Sequence, residues 1–78
     1  MIEEKSKEEL AALVMDRVRK ISICRNLIGV EIAPHGHEGD WEIKHHLFNG
    51  SLSDGCRNAL TPIMVELKKR YRLPRGAS

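Results

Sequence analysis

Imidazoles and carboxylates crowd the middle of the chain. His35-Gly36-His37-Glu38-Gly39-Asp40 holds two of each, and His45-His46 follows shortly after. Imidazole nitrogens and carboxylate oxygens bind zinc and related ions, and imidazole also takes up and releases protons near neutral pH. The spacing matches no zinc motif. Adjacent side chains on a strand face opposite ways, so His45 and His46 cannot both join one cluster, and the expected hairpin register turns His45 to the core and His46 away. His46 also lies six residues past Asp40, about 20 Å along an extended strand. His35, His37, Glu38 and Asp40 remain as a loose metal candidate at a turn. The expected state of that turn is a solvated polar loop with no metal and no cofactor.

Cys24 and Cys56 are the only thiols. Both fall on predicted apolar faces, so they read as buried, reduced, structural side chains. No Cys–His–Asp arrangement can be placed for nucleophilic catalysis. The glycines show neither Walker nor dinucleotide spacing. The expectation is therefore that the protein is not an enzyme. Arg17 falls within the apolar arc of a helix, where its stem should pack and its head pair with an acid, anion binding being the alternative.

Charge is distributed unevenly, although the formal net value is only +2. The C-terminal part carries Arg57, Lys68, Lys69, Arg70, Arg72 and Arg75 against Asp54 and Glu66. Such a cluster marks a possible nucleic-acid surface through the last helix. The simpler reading is a solvated helix end, since cations favour the C-terminal turn.

The elements that position these groups can be read from periodicity. Gly29-Val30-Glu31-Ile32-Ala33 and Trp41-Glu42-Ile43-Lys44-His45 alternate in the manner of half-buried strands. They predict an antiparallel hairpin with a loop from His35 to Asp40. Placing Pro34 opposite Trp41 sets Ile32 against Ile43, Val30 against His45 and Ile28 against Leu47, with Glu31 facing Lys44 on the other side. Ser6-Lys7-Glu8-Glu9 is a capping box, and a helix should follow from Lys7 to about Ile21 or Cys24. Residues 21–24 also have strand character. A second helix should start near Ser51 or Ser53 and run to about Tyr71. Pro62 interrupts it, but the stripe Cys56, Leu60, Ile63, Leu67, Tyr71 stays in phase, which favours one kinked helix. The predicted architecture is α+β: one two-layer domain over residues 1–78, helix–hairpin–helix (α-β-β-α), with both helices on one face of the hairpin and disordered ends at 1–5 and 74–78.

A domain of this size often needs a disulfide, a metal or a partner subunit as a staple. The charged segment MIEEKSKEEL is unlike a signal peptide, and no apolar run nears the ~18 residues of a membrane span. These features suggest a cytoplasmic, non-membrane protein with reduced thiols. Oligomerisation is then the favoured staple. The leading expectation is a small protein–protein interaction module acting as a homodimer. Nucleic-acid binding and a metal or enzymatic role at the His-rich tip are the alternatives.

The string Cys24, Val30-x-Ile32, Trp41-x-Ile43, Cys56, Leu60, Leu67, Tyr71-x-Leu73 resembles that of short uncharacterised bacterial proteins of α-β-β-α layout. The resemblance spans most of the chain, implies the same layout, and carries no activity and no site residue with it.

Overall fold

The computed structural model describes residues 2–74. In chain order they form β1 (Glu3–Glu4), α1 (Lys7–Val18), a 3-10 turn (Ser22–Cys24), β2 (Leu27–Pro34), β3 (Trp41–Phe48), α2 (Asp54–Arg70) and β4 (Tyr71–Arg72). The layout is the expected α-β-β-α, an antiparallel hairpin flanked by two helices.

The capping box is present at the start of α1. The Ser6 hydroxyl accepts from the Glu9 amide and Glu9 Oε1 accepts from the Ser6 amide, both at 3.1 Å. Hydrogen bonding to Ser6 holds the Glu9 carboxyl below the usual carboxylate range. Leu10, Val14 and Val18, at helical spacing, are buried. The helix stops at Val18, sooner than periodicity suggests. Lys20 and Ile21 donate to Arg17 and Val18, tightening the end. Ile21 is extended, and residues 22–24 make a 3-10 turn, so this stretch is neither helix nor third strand.

Helix α2 begins where Ser53 Oγ accepts from the Cys56 amide at 3.1 Å. It passes through Pro62 without interruption. Pro62 and Asn58, whose carbonyl loses its intrahelical donor, are both exposed, so water can replace the missing bond.

The expected hairpin register holds from the tip to Ile32 and Ile43 and is displaced beyond them. Pro34 faces Trp41, Ile32 faces Ile43 and Leu27 faces Phe48. Between these, Val30 faces His46, Glu31 faces His45 and Gly29 faces Leu47. One extra residue on each strand, Lys44 on β3 and Ile28 on β2, produces and then cancels the shift. Leu27 and Val30 are both buried although three positions apart. Strict alternation cannot turn both inward; a bulge can. The expected pairings of Val30 with His45, Ile28 with Leu47 and Glu31 with Lys44 are therefore replaced. Glu31 lies 3.8 Å from His45 Nε2 instead.

Two further expectations are corrected. Cys24 and Cys56 are not free thiols but a disulfide, with Cα atoms 5.0 Å apart. The 3-10 turn and the first turn of α2 converge, and both sulfurs lie in the core. Glu3–Glu4, expected within a disordered end, pair in parallel with Tyr71–Arg72. The Lys5 amide continues the ladder to the Arg72 carbonyl at 2.8 Å. Residues 75–78 and Met1 lie outside the described residues.

The disulfide closes a loop across 32 residues of sequence. A loop of that size favours the fold by about 3–4 kcal/mol in the chain-entropy account. Reduction, or Cys24→Ser with Cys56→Ser, should lower the calorimetric Tm by about 10 °C or more; an unchanged Tm would show that the bond is not the staple. Pro62→Ala should be neutral or raise the denaturation midpoint, since it restores a helix hydrogen bond. A loss above about 1 kcal/mol would mean that Thr61-Pro62 initiates a separate helix.

Candidate functional site

At the hairpin tip, Gly36 and Gly39 adopt φ of 65° and 86°. Gly39 is also crowded, for a Cβ there would lie 3.3 Å from Arg72 Cδ. The Leu73 amide donates to the Gly39 carbonyl at 3.0 Å, so the tip is held by the chain segment after α2. Two of the candidate metal ligands have partners of their own. His35 Nδ1 lies 3.1 Å from Glu42 Oε1. Asp40 Oδ1 accepts from the Trp41 amide at 2.8 Å and lies 3.7 Å from Lys68 Nζ. His37, Glu38 and Asp40 line one exposed depression with Lys68 and Arg72. Among the described residues, no three of His, Cys, Asp and Glu are grouped to hold a metal.

The basic residues divide. Arg57 stands near the start of α2 and Lys68, Lys69 and Arg70 at its end, at least 11 residues apart and so about 17 Å along the axis. Lys68 pairs with Asp40, and Arg70 Nη2 lies 3.9 Å from Glu66 Oε1. Arg72 belongs to β4. Arg75 lies outside the described residues. Arg17 takes the structural role expected of it, its Nη1 donating to Glu66 Oε1 at 2.9 Å and linking the two helices. That bond and charge hold the Glu66 carboxyl below its ordinary range.

The arrangement absent from the sequence reading lies between β3 and α2. A groove of about 410 Å³ runs there, with Ile43, Leu60, Met64 and Val65 as its apolar lining and His46 and Arg57 among its polar groups. Helical spacing brings Arg57, Leu60, Thr61, Met64 and Lys68 to one face of α2, and this much could be read from sequence. The placement of His46 could not. The bulge at Lys44 reverses the expected orientations, leaving His45 exposed and His46 half-buried in the groove. Burial first, then the nearby positive charge of Arg57, push the His46 imidazole below its ordinary value of 6.5. The site thus presents an apolar floor and a neutral imidazole beside a guanidinium.

Compared with known proteins, the chain matches no family model, no curated protein and no solved structure. What stands of the resemblance is the α-β-β-α layout it implied. Among the described residues no helix is long and apolar enough to cross a membrane.

His46 should titrate in NMR with a midpoint below 6.5, moving up in Arg57→Ala. Its folded pKa is depressed, so the unfolded chain binds the proton first as pH falls. Folding stability should therefore decline as pH drops below that ordinary value, through the window down to the lowered folded pKa. A His46 midpoint at or above 6.5 would show that the imidazole is not held as described.

Proposed function

We propose that the protein is a small, non-catalytic protein–protein interaction module that works as a homodimer. One observation carries the dimer. At the end of the hairpin remote from its tip, Ile28, Leu47 and Phe48 are 68, 53 and 40% exposed. Ile28 belongs to β2, and Leu47 and Phe48 end β3, a strand that pairs only with β2 among the described residues. Leu47 lies over Gly29, 3.4 Å from where a Cβ would stand, so the missing side chain leaves this apolar surface flat and open.

Open strand edges are templates for pairing with another chain. Helix α1 packs along β2, which leaves β3 as the freer edge. The bulge at Lys44 blunts the middle of that edge, but His45–Phe48 beyond it are available. Two copies joined there about a two-fold axis would form a four-stranded antiparallel sheet, a closed arrangement that stops further growth. The polar groups gathered in the groove, a guanidinium beside an imidazole over apolar side chains, suit holding a partner's anion rather than performing a reaction. A cytoplasmic location loses the support it drew from reduced thiols, because Cys24 and Cys56 are bonded. Persistent disulfides are characteristic of oxidising compartments.

Sedimentation equilibrium should give the mass of a dimer at micromolar concentration. Leu47→Glu, at an exposed position, should yield a folded monomer. A wild-type mass that stays monomeric to high-micromolar concentration would refute the dimer, as would an unaltered dimer in Leu47→Glu.

A further inference from the structure

We propose that the groove between β3 and α2 is the docking site for an acidic, apolar segment of a partner protein, whose carboxylate meets Arg57 and His46 while its apolar side chains cover Ile43, Leu60, Met64 and Val65. The inference rests on the interaction-module reading above, but not on the dimer.

Charge complementarity selects the occupant. The charged groups along the groove are Glu42, His46, Arg57 and Lys68. Glu42 already faces His35 at 3.1 Å, and Lys68 already faces Asp40 at 3.7 Å. Arg57 has no acidic partner among the described residues. The imidazole of His46 stands close enough for Arg57 to disfavour its protonated form. Arg57 is therefore the groove's cation that lacks an acidic partner, and it stands at the His46 end. A carboxylate there forms a charge-assisted, bidentate contact with the guanidinium. It also offsets the charge of Arg57, which after burial is the next cause of the lowered His46 value, and the imidazole N–H is a second donor.

The rest of the groove asks for apolar side chains. Val65 is 51% exposed although it stands beside half-buried Ile43 and Met64. Methionine adapts its shape to different partners. A volume near 410 Å³ accommodates a few side chains of a peptide rather than a folded surface. The apolar floor argues against a nucleic-acid backbone, which would bring phosphates and sugars to hydrocarbon. The bulged, lysine-bearing part of β3 beside the groove argues against simple addition of a third strand. Side-chain insertion is the mode that fits.

The test is selection from a phage-displayed random peptide library on the intact, oxidised protein, followed by affinity measurement with the selected peptides made synthetically. The selected sequences should combine Asp or Glu with Leu, Ile, Val or Phe. Arg57→Glu, at an exposed position, should weaken binding by about tenfold or more, and Met64→Lys should do the same, with both variants folded by circular dichroism. Leu47→Glu should leave the affinity unchanged, which separates this site from the dimer contact. Selection of no binding peptide, enrichment of sequences without acids, or unchanged affinity in Arg57→Glu would each overturn the proposal. So would loss of the dimer in Arg57→Glu, which would assign the groove to a second copy of the chain.

Discussion

Trp41 is fully buried, and its indole N–H donates to the Tyr71 carbonyl at 3.1 Å. Most of the architecture depends on that contact. An indole buries about 150–250 Å², worth on the order of 5 kcal/mol at the usual rate for apolar surface. Its polar atom must also find an acceptor in the interior. The acceptor comes from the residue at which α2 gives way to extended chain, so satisfying the tryptophan fixes where the second helix ends. Beyond that point Arg72 pairs with Glu4 and Leu73 binds the Gly39 carbonyl. The hairpin tip and the two ends of the described chain are thereby gathered around one side chain.

The opposite end of the domain is secured covalently. Cys24 and Cys56 join the turn after α1 to the first turn of α2, beside the place where Ile23 reaches Gly55; a Cβ on Gly55 would stand only 2.5 Å from Ile23 Cδ1. With Trp41 at one end and the disulfide at the other, the small core of Leu10, Val14, Val30, Ile32, Leu60 and Leu67 is held without a partner subunit. This changes the grounds for a dimer. The need of a short chain for a staple no longer argues for it, since the disulfide supplies one. What argues for it is the surface itself: Ile28, Leu47 and Phe48, all exposed, at an open strand end.

Much of the fold was legible because local signals agreed. The Ser6 capping box, the stripe on each helix and the alternation around Ile32 and Ile43 each specify their element alone. Three things were not legible. Disulfide pairing depends on Cα atoms separated by 32 residues approaching to 5.0 Å, and spacing carries no trace of that. The parallel pairing of Glu3–Glu4 with Tyr71–Arg72 is two residues long and mostly exposed, so it has no hydrophobic pattern to read. The groove was half legible: its helical side follows from the spacing of Arg57, Leu60 and Met64, whereas its strand side required knowing where β3 bulges.

That bulge links the groove to the apolar strand end. A regular β3 would point Trp41, Ile43, His45 and Leu47 to the core and leave His46 outside. The extra residue at Lys44 breaks this set after Ile43. His46 then turns inward beside Arg57, placing a polar group in the groove, and Leu47 turns outward over Gly29, placing an apolar one on the open face. The same residue disrupts the strand's middle and sets a lysine there, which protects the edge against continuous pairing. One inserted position thus separates a short apolar strand end, suited to a symmetric contact, from a cationic groove suited to an acidic ligand. Neither surface would exist in the unbulged hairpin.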